Sequence, residues 1–189
     1  MDYSPEKREL FLMQQAYATL VSLTNKIENE ANKYFKSLTS KQYMAILAVF
    51  HLPPEETTLK NIAHKLGTTK QNANHLIAAV KKKGYITVSG CETDKRAINI
   101  QMTDSGLEVM AENSEAGIIF MADVFNYFNE KELKTLWELL KKLHAFDGEA
   151  YSGFEADASG RFEGDYSRQQ ARVLEAFRKK RRKHHGHRV

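Results

Sequence analysis

One run, residues 57–103, restricts the fold more than any other part of the chain: TTLKNIAHKLGTTKQNANHLIAAVKKKGYITVSGCETDKRAINIQMT. Its first pattern, residues 59–66, sets Leu59, Ile62, Ala63 and Leu66 on one helical face. Gly67 ends that helix, because glycine accepts the left-handed conformation at a helix exit. Thr68 or Thr69 can cap the next helix, predicted over 70–83 with Ala73, Leu76, Ile77 and Val80 buried and Gly84 as its stop. Residues 85–89 (YITVS) and 97–101 (AINIQ) alternate with a period near two, as paired strands do. Gly90, Asp94, Lys95 and Arg96 lie in the turn between them. Two helices around a tight glycine turn, with small Ala63 at their crossing, followed by a hairpin with a basic tip, predict a winged helix-turn-helix.

The second helix carries the functional expectation. Its outer face shows Lys70, Gln71, Asn74 and His75, with Asn72 at the edge and Thr69 at its start. Asn and Gln can pair bidentately with adenine, and Lys with guanine or phosphate. Across residues 58–101, Lys60, Lys65, Lys70, Lys81, Lys82, Lys83, Lys95 and Arg96 face only Glu92 and Asp94, the sign a phosphate-binding surface requires. The alternative is a winged-helix protein-interaction module without specific DNA binding. An interaction face would show more exposed aromatic or aliphatic residues than this one.

Asp94-Lys95-Arg96, then Ile100, then Met102-Thr103-Asp104-Ser105-Gly106 resembles the wing signature of the MarR (multiple antibiotic resistance regulator) family, D-x-R, an apolar strand, then L-T-x-x-G. With the flanking helices the resemblance covers residues 6–146. It implies that the helix beginning near Thr69 enters a major groove, that Arg96 reaches a minor groove, and that Asp94 steadies the wing. It also implies that the first and last helices interlock two subunits into a triangular dimer on a pseudo-palindromic operator. The function implied is a transcriptional regulator, most often a repressor, responding to a small aromatic effector held between the dimer helices and the winged domain. Two positions depart from the family pattern: Met102 replaces leucine, and Ala79 stands where many members carry arginine.

Residues 1–38 read as an N-terminal dimerisation helix. Ser4 caps it, with Pro5 and Glu6 in its first turn. Leu10, Met13, Tyr17, Leu20, Thr24, Ile27, Ala31 and Tyr34 recur at alternating spacings of 3 and 4, a seam that wants a partner helix. That partner lies either within the chain or, as favoured here, across a dimer. Residues 39–103 form the DNA-binding domain, opened by a capping box of Thr39 and Gln42 with Leu38 placed to staple Tyr43. Residues 104–146 hold two further dimerisation helices, 104–128 capped by Thr103 and a second capped by Asn129 with Glu132. Leu133, Leu136, Trp137, Leu140 and Leu143 form the second stripe, closed by Phe146. The whole is mainly α, with one small β-hairpin.

Residues 147–164, with Gly148, Gly153, Gly160 and Gly164 among acids and serines, predict a flexible linker. Residues 165–189 form a basic tail with helical potential. It either adds non-specific contacts to DNA or docks through Val173, Leu174 and Phe177. Charge is uneven along the 189 residues: a net −8 over 104–164 gives way to +7 over 165–189.

Catalysis finds no support. The sequence has no HExxH, CxxC or glycine-rich phosphate loop, so neither enzyme activity nor a cofactor is expected. His184, His185 and His187 make no expected metal site. Cys91, the single cysteine, excludes an internal disulfide and suits a reducing cytoplasm. No apolar run is long enough for a membrane span, and no signal-peptide core is seen near Met1.

Overall fold

The computed structural model describes residues 4–90, 98–149, 153–154 and 166–185. Its elements are α1 (Pro5–Ala31), α2 (Ser40–His51), α3 (Leu59–Lys65), α4 (Lys70–Lys82), β1 (Ile86–Gly90), β2 (Ile98–Met102), α5 (Asp104–Val124), α6 (Glu130–His144) and α7 (Tyr166–His185). Short 3-10 turns follow α2 and α6.

Local chemistry sets most of these boundaries. Ser4, Thr39, Thr58, Thr69, Thr103 and Asn129 each accept a backbone N–H three residues on. Thr39 with Gln42, and Asn129 with Glu132, complete reciprocal capping boxes. Gly67 (φ 58°) and Gly84 (φ 81°) are left-handed. After α3, the Gly67 N–H donates to His64 and the Thr68 N–H to Ala63. After α4, the Gly84 N–H donates to Lys81 and the Tyr85 N–H to Val80. Both exits therefore satisfy two orphan carbonyls in the same way. The strands pair antiparallel with Val88 opposite Ile100, each one residue later than predicted.

The core lies inside the winged domain. Ile46 of α2, Ile62 of α3, Val80 of α4 and Ile100 of β2 are its largest fully enclosed side chains, each contributing on the order of 1.5–3 kcal/mol by leaving water. Buried Thr57 holds the hairpin to this core. Its hydroxyl donates to the Pro53 carbonyl at 2.7 Å, and its own carbonyl accepts the Ile100 N–H at 3.1 Å.

Two expectations are corrected. First, α1 stops at Ala31, so Tyr34 is not part of its seam. Residues beyond it turn back instead: Asn32 accepts the Ser40 N–H, Tyr34 reaches Asp123 of α5, and Phe35 stacks on Tyr43. Second, α5 ends at Val124, not 128. Asn129 must be extended to cap α6, which forces a turn ahead of it, and the Phe125 and Phe128 carbonyls accept from Arg181 of α7. Phe146 follows the α6 stripe and is exposed, as Leu140 and Leu143 are.

Candidate nucleic-acid interface

In α4 the buried positions are Ala73, Ile77 and Val80, with Leu76 half-buried. That anchoring turns Lys70, Gln71, Asn74 and His75 outward together, all exposed. Asn72 is exposed too, but its amide donates to the Thr68 hydroxyl at 3.2 Å, so it braces the turn as well as edging the face. Thr69 accepts the Asn72 N–H at 3.2 Å. The remaining first-turn N–H groups point outward with the positive end of the helix dipole, a ready site for phosphate.

The cations divide into two sets. Lys60, Lys70, Lys81 and Lys82 are exposed. Lys83 instead donates to the Ser37 carbonyl at 2.7 Å and to Gln42 Oε1 at 2.9 Å. Lys65 donates to the Gly153 carbonyl at 2.7 Å and lies over the Phe154 ring, and burial pushes its ammonium below the usual lysine range. Two of the lysines counted toward the phosphate-binding charge thus hold the fold together. Asp94, Lys95, Arg96 and Cys91 lie outside the described residues.

The wing is joined to α5 at a tight corner. The Thr103 N–H donates to the Tyr85 carbonyl, the Thr103 hydroxyl donates to the Gly84 carbonyl at 2.7 Å, and the Gly106 N–H donates to the Thr103 hydroxyl at 3.0 Å. A Cβ on Gly106 would stand 2.0 Å from the Tyr85 carbonyl oxygen. This explains both the threonine and the glycine of the Thr103–Gly106 signature.

Behind α4, the walls of a cleft of about 960 Å³ come from α1, the α3–α4 turn and the end of α6. Tyr17, Leu20, Ala63, Gly67, Leu143 and Glu149 are among its walls. Outside the winged core, α1 and α6 present apolar side chains: Tyr17 is 73% exposed and Leu139 58%.

The sequence reading left docking of the tail open as one of two alternatives and named none of the polar contacts of the C-terminal extension. Glu149 meets His64 at 3.2 Å, and Gly153 and Phe154 lie against Lys65 and His51. At the other end, Val173 is buried, Lys180 pairs with Asp123 at 2.9 Å, and Arg181 binds the carbonyls of Phe125 and Phe128. A signal for the first of these contacts was Phe154, a large apolar residue amid glycines and acids. Among the described residues, no group of three or more His, Cys, Asp and Glu side chains is placed to hold a metal, and no helix is long and apolar enough to cross a membrane.

This is a winged helix-turn-helix fold flanked by long helices. More particularly, it is the fold of the MarR-family regulators. No protein-family model matches the chain. It is similar to YpoP of Bacillus subtilis (strain 168), an uncharacterized HTH-type transcriptional regulator, at 26% identity over 135 residues, 70% of this chain and 93% of YpoP. A MarR/EmrR family transcriptional regulator from Acinetobacter sp. ADP1 superposes with a TM-score of 0.64 at 24% identity, over 72% of this chain and 97% of its own. Sco3205, a MarR family transcriptional regulator from Streptomyces coelicolor solved in complex with DNA, superposes with a TM-score of 0.64 at 17% identity, over 76% and 92%.

Proposed function

We propose that the chain is a dimeric, sequence-specific DNA-binding transcriptional regulator, a repressor that acts in the cytoplasm and releases DNA on binding a small apolar effector. The observation that carries this reading is the exposed Lys70, Gln71, Asn74 and His75 face of α4, set on a rigidly buried opposite face. Long polar side chains on a fixed helix can read base edges, whereas phosphate contacts alone position without specifying. Arg96 and Lys95 at the wing tip add minor-groove and backbone contacts in this reading, with Asp94 steadying the tip.

Dimerisation follows from the exposed apolar residues of α1 and α6, since a lone chain would leave Tyr17, Leu139 and Leu143 in water. The cleft beside the α3–α4 turn supports the effector, because an occupant there adjoins Thr68 and the start of the reading helix. Selection of duplexes from a randomised pool tests the reading. A pseudo-palindrome with half-sites about 10 bp apart is expected. A pool that stays unenriched contradicts it and favours the interaction module.

A further inference from the structure

We propose that the cleft beside the α3–α4 turn takes a small organic cation, an apolar or aromatic body ending in an ammonium group, with the charge held at Asp147 and Glu149. The inference rests on the effector reading above and names the chemical class of that effector.

The walls of the cleft are of two kinds. Met13, Leu20 and Val21 of α1, Ala63 of α3 and Leu143 of α6 make its body apolar. Its volume, about 960 Å³, is on the scale of pockets that take drug-sized molecules. The ionic chemistry sits just past the end of α6. There a 3-10 turn and left-handed Gly148 (φ 81°) bend the chain so that Asp147 and Glu149 both border the cleft. The Glu149 N–H donates to Asp147 Oδ1 at 3.1 Å, and the Glu149 carboxylate lies 3.2 Å from His64 Nε2 of α3. Among the described walls the basic side chains are His64 and His144, and there is no Lys or Arg. With histidine neutral, the lining therefore carries two negative charges and no positive one.

Two aromatic rings extend the match. Tyr17 and Phe146 border the same cleft and are 73% and 83% exposed. Ring faces attract an ammonium group through their quadrupole. An anionic ligand would instead meet two like charges, and an uncharged one would gain nothing from either carboxylate. The competing occupant is an apolar segment of a second subunit. It would strip water from Asp147 and Glu149 without pairing them, which is costly. A cation satisfies the rings and the carboxylates together. It also adjoins the reading helix, because the cleft reaches Thr68, whose hydroxyl accepts the Asn72 amide at 3.2 Å.

Isothermal titration calorimetry of the full chain with three probes of one shape tests this: para-butylbenzylammonium, para-butylbenzyl alcohol and para-butylbenzoate. The ammonium should bind on the order of tenfold tighter than the alcohol, since two partly exposed ion pairs and a ring contact each give a few-fold. The benzoate should bind most weakly. Asp147→Asn with Glu149→Gln should bring the ammonium to within about twofold of the alcohol and leave the alcohol's affinity unchanged. Ala16 is an exposed wall residue of α1, and Ala16→Trp should fill the cleft and abolish binding of every probe. Equal affinity for ammonium and alcohol, or tighter binding of the benzoate, overturns the proposal. So does the absence of any binding up to millimolar concentration, which leaves the cleft to a second subunit. A cation preference that survives the double variant, or binding that survives Ala16→Trp, overturns it as well. Operator affinity in saturating ammonium is a separate arm. If the probe binds as described and operator affinity does not change, the effector reading fails while the cation site stands.

Discussion

Gly106→Ala isolates the corner that joins the wing to α5. The new Cβ would lie 2.0 Å from the Tyr85 carbonyl oxygen and 3.0 Å from Met102 Cε. The methionine end can swing aside. The carbonyl cannot, because it accepts the Thr103 N–H at 3.1 Å and follows Gly84 at φ 81°. Relief requires α5 and the wing to separate by roughly 1 Å or more, given ordinary contact distances. Strain of this kind costs typically 1–3 kcal/mol, and a backbone obstacle puts it at about 3. For a chain of this size that lowers Tm by about 6–12 °C. Thermal unfolding followed by circular dichroism reads it, with Gly90→Ala as control, since a Cβ there meets nothing within 4 Å. Helix propensity alone favours alanine over glycine by about 0.8–1.0 kcal/mol. A Gly106→Ala melting temperature at or above the parent's would therefore refute the packing argument.

Thr69→Ala removes the cap of the reading helix and should cost about 1 kcal/mol in urea unfolding, with weaker operator binding as the first turn frays. Leu20→Glu with Leu140→Glu should shift the protein from dimer to monomer in sedimentation, if those faces bury across a subunit interface. Alkaline stability carries a definite sign. The hydrogen bond to Asp123 raises the Tyr34 pKa, and burial raises that of Tyr43. Their contribution is fully present below the unfolded tyrosine value of about 10 and is lost as pH climbs through the raised folded values. Tyr34→Phe should flatten that decline in chemical unfolding at successive alkaline pH values, and an unchanged decline would remove Tyr34 from the account.

What could be read in advance was local. The exits at Gly67 and Gly84, the caps at Thr69, Thr103 and Asn129, and the buried face of α4 depend on residues a turn or two apart in the chain. What could not be read depends on partners far along the chain. The charge count included Lys65 and Lys83 as DNA-facing, yet their acceptors lie 88 and 46 residues away. The end of α5 was misplaced because Arg181, more than 50 residues on, binds its terminal turn. The tail had two open readings, and the side chains of Val173, Lys180 and Arg181 favour docking. Leu174, expected on the docking face, is half exposed instead.

The central claim is that α4 reads bases rather than merely adhering to phosphate. Its most direct test is the affinity of the parent and Asn74→Ala for an operator, every single-base variant of it, and a random duplex, all at one salt concentration. Asn74 is predicted to matter at the same one or two base pairs in each half-site, with about 1–3 kcal/mol of discrimination lost there and little change on the random duplex. An equal loss of affinity on every duplex, random sequence included, would contradict the claim and leave α4 as a charged surface without a code.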